Sequence, residues 1–231
     1  MIKDPPSLQL HTGFARPTSK QVAAFEGVPT VFLCDAMGGQ GALCPAIKPV
    51  DGAVHLPAHA HGPALVADNG PAELLATKGA IHICQPGDII VSAVHGFSGC
   101  SAAGDRICGM MRNKGVAGFV TDGQMRDLDG IVTAGLPAWC AGLSPNSPYS
   151  KGPGIVGRAA VVGGRLISSG DMIVADRDGV VVVPFAQIDA VITQLDAIRA
   201  QEVILEAQVA DGYCDMPAIT AMLRDGSAVM D

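Results

Sequence analysis

The chain has 231 residues, enough to bury a full core as one domain or a tight two-lobed unit. A formal charge of −7, with fifteen scattered Lys and Arg, argues against the basic surface that a nucleic-acid binder gathers, and no apolar run reaches the ~18 residues of a membrane span. Hydrophobic residues make up 48% against 16% charged, and the mean hydropathy of +0.34 predicts a surface covered by partner subunits.

The opening Met1-Ile2-Lys3-Asp4-Pro5-Pro6 lacks the basic and apolar regions of a signal peptide, so a cytoplasmic protein is expected. An irregular arm over residues 1–17 leads to a helix around Thr18 to Glu26 and a second helical segment from Pro29 or Thr30. Val54 to Val66 and Asp88 to Val94 read as strands, with a helix near Pro71 to Thr77 between them. His55, His59 and His61 fall in the first of these strands. There His59 and His61 share a face and could chelate a metal, although surface or interface histidines are the plainer reading. His82 reads as a packed core residue, and His95, ahead of Gly96-Phe97-Ser98-Gly99, as a candidate cleft residue.

The next stretch carries the chemistry. Ile107, Met110 and Met111 at helical spacing follow Gly104-Asp105, then come Gly115, the apolar run Val116 to Val120, and Gly123-Gln124-Met125-Arg126-Asp127. A helix starting at Asp105 leaves the N–H groups of Arg106 and Ile107 without helical partners, at the positive end of the helix dipole, where a carboxylate sits well. Arg126 and Asp127 lie on a Gly-containing loop. Neighbouring Arg and Asp side chains diverge, so one can take an anion while the other addresses a cation; taken alone, the dipeptide reads more plainly as a solvated surface pair.

Leu136 to Ala141 reads as a short strand, and the Pro-rich stretch Ser144 to Gly154 as a long loop serving as a lid or a subunit contact. Val156 to Val162 and Arg165 to Ile167 form a hairpin turned at Gly163-Gly164, followed by strands at Met172 to Val174 and Gly179 to Val183. Asp176 and Asp178 between them read as turn formers rather than a cation site. Residues 185–231 form a C-terminal helical segment. Its long helix, Pro184 to Gly212, carries the apolar stripe Ile188, Val191, Ile192, Leu195 and Ile198, which extends to Glu202 and Glu206. A carboxylate on a buried face needs a partner, and the alternative is that the helix emerges into solvent there. Seven cysteines, odd in number and without a CxxC pair, read as reduced core thiols. None of Lys48, Lys78, Lys114 or Lys151 has the context of a Schiff-base lysine.

From Pro29-Thr30 and Asp35-Ala36-Met37-Gly38, through Gln85-Pro86-Gly87-Asp88, Gly104-Asp105, Gly115-Val116-Ala117-Gly118, Asp122 to Asp129 and Ser147-Pro148-Tyr149, to Gly170 to Pro184, the chain resembles one known family. It is similar to the class II, metal-dependent 4-hydroxy-4-methyl-2-oxoglutarate / 4-carboxy-4-hydroxy-2-oxoadipate aldolases, grouped with the ribonuclease E regulator A-like proteins. Periodicity by itself supports an α/β fold with a mixed sheet. The resemblance implies a single domain over 1–231, a swivelling β/β/α sandwich, and homotrimers or homohexamers with active sites between subunits.

The resemblance also implies roles. Asp127 would be the protein ligand of Mg²⁺ or Mn²⁺, Arg126 would bind the pyruvate or oxaloacetate part of the substrate, and Asp105 would hold metal-bound water. Gly104 and the amides of Arg106 and Ile107 would meet the substrate carboxylate. A glutamate from a neighbouring subunit would complete the site, with Glu202 as its counterpart and Glu206 the alternative. The implied reaction is retro-aldol cleavage of a 4-hydroxy-2-oxo acid to pyruvate and a second 2-oxo acid, with oxaloacetate decarboxylation as a side activity. The competing expectation is a non-catalytic regulator that binds an RNA-degrading enzyme, ribonuclease E.

Overall fold

The computed structural model describes residues 6–230. In chain order the elements are β1 (Leu8–Leu10), α1 (Ser19–Ala23), α2 (Thr30–Ala36), β2 (Lys48–Pro49), β3 (Ala60–Asp68), α3 (Leu75–Ile83), β4 (Ile89–Ala93), β5 (Ser101–Ala103), α4 (Asp105–Asn113), β6 (Gly118–Thr121), β7 (Gln124–Met125), α5 (Leu128–Ala134) and β8 (Ala138–Cys140). There follow β9 (Gly154–Val156), β10 (Ala160–Val162), β11 (Arg165–Ile167), β12 (Met172–Ala175), β13 (Val180–Val183), α6 (Ile188–Ala210) and α7 (Pro217–Asp225). The fold is α/β around a mixed sheet.

That sheet has nine strands, in the order β1-β9-β3-β4-β6-β8-β2, with β12 and β13 branching from β3. Its centre, β3, β4, β6 and β8, is parallel, while β12 runs antiparallel to β3. Parallel strands need both faces covered, which is why β4 and β6 are buried at every position. Alternation sorts their side chains between two cores. Ile90 and Phe119 join Ala80, Met111 and Ile131 from α3, α4 and α5. Ile89, Val91 and Val120 face Val162, Ile167, Ile173 and Val182 from the later strands.

Several sequence expectations shift. The N-terminal arm is not wholly irregular, since β1 pairs in parallel with β9; the part of the arm before residue 6 lies outside the described residues. The expected strand from Val54 begins only at Ala60. Before it, the Asp51 carboxylate accepts from the amides of Ala53, His55 and Leu56 and ties the chain into a turn, so neither His55 nor His59 is on a strand and only His61 is. The helix expected at 71–77 starts at Leu75 and runs to Ile83, which turns His82 outward to an exposed face instead of into the core. The segment from Val156 to Val162 is interrupted, and the hairpin is formed by β10 and β11 alone.

All seven cysteines are free; Cys100, Cys108 and Cys140 are buried, whereas Cys44 and Cys214 are exposed. Burial pushes the Cys108 thiol up to about 12 and Cys140 to about 11, so both stay protonated and unreactive. The chain divides into two compact units, Met1–Leu195 and Asp196–Asp231, with the division inside α6. Ile188, Val191 and Leu195 of the first unit's part of α6 are buried as the stripe predicts. In the second unit Glu202 is half-buried and Glu206 exposed. Among the described residues no helix is long and apolar enough to cross a membrane.

Candidate active site

The site is built by two short strands that extend the connections after β4 and β6. Parallel pairing of β5 with β7 sets Ser101 beside Gln124 and Ala103 beside Met125, and the Arg126 amide donates to the Ala103 carbonyl at 3.1 Å. The chain turns from β5 into α4 at Gly104 and from β7 into α5 at Asp127. The two helix starts and the Arg126-Asp127 pair therefore converge, at the carboxyl ends of the central strands, where open α/β sheets place their ligands. The result is a cavity of about 440 Å³ whose walls include Gly104, Asp105, Arg106, Ile107, Arg126 and Asp127.

Two glycines make this packing feasible. A Cβ on Gly104 would stand 2.5 Å from Asp127 Oδ2 and 3.1 Å from Arg126 Cγ, so only glycine lets both side chains lie against the start of α4. Gly130, inside α5, performs the same service for Asp105: a Cβ there would meet the Asp105 Cβ at 2.6 Å. A glycine within a helical pattern costs about 1 kcal/mol relative to alanine, and this was the one sequence signal that could have marked Gly130. Asp127 is a non-glycine residue in the left-handed region, with φ at 62°, a conformation that persists where surrounding structure enforces it and that clusters at functional sites.

The polar groups are partly committed. Arg126 Nε lies 3.3 Å from Asp127 Oδ2, with the two side chains 35% and 44% exposed, so the pair is open to a ligand. Asp105 Oδ1 accepts from the Arg106 amide at 2.6 Å, and that amide, expected to face outward unpaired, is capped by its neighbour. The Ile107 side chain belongs to the core, which leaves its backbone as what it presents to the cavity. The structure thus brings Gly104, Asp105, Arg106, Ile107, Arg126 and Asp127 together, as the sequence led one to expect. Glu202 lies in the other compact unit.

The carboxylates of Asp105 and Asp127, with no thiol or imidazole among the lining residues, make an oxygen-only ligand set, which fits a hard divalent cation that keeps most of its waters. No group of three or more His, Cys, Asp or Glu that could hold a metal occurs among the described residues, and Asp127 with Asp105 is the set this chain offers at the cavity.

The histidines do not form the alternative metal site. His59 Nε2 contacts the Val28 carbonyl at 3.0 Å, and its ring centroid is 5.6 Å from that of His61. Burial, then the charge of His59, holds His61 below the ordinary imidazole value, but among the described residues no third donor joins them. His95 pairs with Asp68 at 2.9 Å and borders a neighbouring cavity rather than the one that holds Arg126. Asp176 is a structural cap, accepting from the Thr30 amide and hydroxyl and from the Asp178 amide.

The stretch that the sequence marked as a lid or a subunit contact has a fixed course that the sequence did not show. From Ser144 to Gly152 it is a strap fastened along its length, with Pro148 in the cavity wall. Ser144 donates to Met125, Asn146 accepts from Ser101, and Tyr149 donates to Ala72. The buried Glu73 carboxylate accepts from the amides of Leu74, Leu75, Lys151 and Gly152 at 2.8 to 3.0 Å. A lid free to swing is not what these bonds describe.

A profile of the RraA-like family, described as Aldolase/RraA, matches residues 30–182. A protein of Halalkalibacterium halodurans named "Putative 4-hydroxy-4-methyl-2-oxoglutarate aldolase" is 31% identical over 203 residues, covering 88% of this chain and 93% of its own. One of the same name from Alkalilimnicola ehrlichii is 29% identical over 160 residues, covering 67% of this chain and 94% of its own. Among solved structures, an uncharacterized protein from Pseudomonas syringae pv. tomato superposes with a TM-score of 0.73 at 24% identity, over 87% of this chain and 97% of its own. Streptomyces coelicolor RraAS2, described as an unusual member of the RNase ES inhibitor RraA protein family, does so with a TM-score of 0.71 at 24% identity, over 84% and 98%. With the profile spanning most of the chain and its matched segment containing Asp105, Arg126 and Asp127, the protein belongs to the RraA-like, Aldolase/RraA family.

Proposed function

We propose that this protein is a divalent-metal-dependent lyase that cleaves a 4-hydroxy-2-oxo dicarboxylic or tricarboxylic acid to pyruvate and a second 2-oxo acid. The observation that carries the reading is the convergence of Arg126, Asp127 and Asp105 on the start of α4 in one cavity. A regulator of an RNA-degrading enzyme needs a contact surface and has no use for such a set.

The chain's residues divide the work. Arg126 presents a planar fork of N–H donors to the substrate's 1-carboxylate, and the helix start at Arg106 and Ile107 adds partial positive charge at the same end. Asp127, with Asp105 through water, would hold Mg²⁺ or Mn²⁺. The cation would supply Lewis acidity to stabilise charge developing on the 2-oxo oxygen. Asp105 keeps Oδ2 clear of its bond to Arg106, which leaves an acceptor for water or the 4-hydroxyl proton. Loss of that proton lets the C3–C4 bond break; its electron pair passes into the 2-oxo group, and a proton returned to C3 completes pyruvate. Oxaloacetate loses carbon dioxide through the same charge pattern, so decarboxylation belongs to the proposal.

The proposal extends to homotrimers or homohexamers in which Glu202 of a neighbouring subunit supplies a further carboxylate. A panel of 4-hydroxy-2-oxo acids assayed for pyruvate release, beside a pull-down with ribonuclease E, decides between enzyme and regulator. Turnover of at least one substrate, abolished in Asp127→Ala, is the expected result. No pyruvate from any substrate, together with ribonuclease E capture, contradicts it.

A further inference from the structure

The geometry points to Ser147 as the positioning residue for Arg126, an inference that rests on the functional reading above. Arg126 Nη1 donates to Ser147 Oγ, and the guanidinium's other described partner is Asp127, through Nε at 3.3 Å. These two contacts differ in what they do to the charge. A carboxylate neutralises a guanidinium as it orients it, whereas a hydroxyl orients it and leaves the full positive charge for an incoming carboxylate. When Asp127 turns its oxygens to a cation, Ser147 is the anchor that remains.

Ser147 can serve because its backbone is fixed on both sides. Asn146 accepts through its carbonyl from the Ser101 amide at 2.9 Å and the Ser101 hydroxyl at 3.0 Å, and its side-chain amide donates to Gly99 at 3.0 Å. Two residues onward, the Tyr149 amide donates to Ala72 at 2.8 Å. Pro148, between them, has no amide hydrogen to satisfy and forms part of the cavity wall. The hydroxyl is therefore held by a stitched loop and aims a long side chain that has many rotamers of its own. Ser147 is not among the residues that line the cavity. Its effect reaches the reaction through Arg126.

The test compares Ser147→Ala and Ser147→Thr, each alone and in an Arg126→Lys background, with two readouts. The first is the rate of phenylglyoxal labelling of Arg126, followed by peptide mass spectrometry, which needs no catalysis. In Ser147→Ala the freed guanidinium labels several-fold faster, and in Ser147→Thr, which restores the hydroxyl, it labels at the wild-type rate. The second is turnover: kcat/KM falls about three- to tenfold in Ser147→Ala, the scale of one net hydrogen bond, with an unchanged thermal midpoint because the side chain is exposed. In Arg126→Lys the same alanine costs nothing further, as expected when one residue acts through the other. Wild-type labelling of Ser147→Ala, or an equal extra loss in the lysine background, overturns the assignment. If the wild-type protein cleaves no member of the substrate panel, the functional reading falls by itself and the labelling rates alone decide the role of Ser147.

Discussion

Arg126 and Gly104 show how narrowly the site is drawn at the scale of single residues. Arg126→Lys keeps the charge but loses the planar fork, and removing one charge-assisted contact is worth about 1.5 to 3 kcal/mol, or roughly one to two decades in kcat/KM. Steady-state kinetics of the lysine variant measure this, and unchanged kinetics would place Arg126 outside the site. Gly104→Ala puts a methyl where Asp127 Oδ2 and Arg126 Cγ now lie. Both of those side chains are open to solvent and can swing away, so kcat/KM is expected to drop more than tenfold while the thermal midpoint moves by no more than a few degrees. A variant that unfolds instead would show that Gly104 serves the fold. Asp105, Arg126 and Asp127 were legible in the sequence because acid and base stood beside glycines at a helix start and after a strand. The role of Ser147 was not, since a hydrogen bond across 21 residues leaves no local pattern, and although Gly130 stands out as a glycine within a helix, its contact with Asp105 on another helix does not show in the sequence.

At the scale of elements, the strap owes its course to Glu73. Its carboxyl is nearly inaccessible, and burial alone would raise its pKa; the four backbone amides that point at it outweigh this and hold it below the ordinary glutamate value. A depressed folded value means that the carboxylate stabilises the fold fully above its unfolded pKa of 4.5, and that this contribution is lost as pH falls through the lower folded value. Glu73→Gln removes the charge and should cost about 1 to 3 kcal/mol at pH 7, with a smaller cost once pH falls below 4.5 towards the lowered folded value, because the wild-type carboxylate's contribution is then being lost. Denaturant titrations of the two proteins at pH 7 and pH 3.5 check this. A gap between them that widens in acid would contradict the sign. The helical period was readable in part: Ile107 and Met111 of α4 are buried but Met110 is exposed, and of the α6 stripe Ile188, Val191 and Leu195 are buried while Ile192 and Ile198 are only partly covered. The start of α3 was misplaced by four residues because the preceding turn is fixed by Glu73 and the strap, partners that lie far along the chain.

For the whole molecule, the mixed sheet supports two cores and carries the candidate site at the end of its parallel centre, and that much follows from apolar strands alternating with helices. The assembly does not follow from the fold of one chain. If Asp127 and a neighbouring subunit's Glu202 share a site, Asp127→Ala and Glu202→Ala are each inactive alone but recover part of the activity when dissociated and reassembled together. Verified mixed oligomers without recovery would remove Glu202 from the proposal, and a repeat with Glu206→Ala would examine its alternative. The central claim is a cation-dependent carbon–carbon cleavage at the Asp105, Arg126 and Asp127 cavity, and its most direct measurement is pyruvate release before and after excess chelator, followed by return of Mg²⁺ or Mn²⁺. With so few protein donors the cation should exchange freely. The account predicts that activity vanishes with chelator and returns with either ion; full pyruvate production by metal-free protein in excess chelator would contradict it.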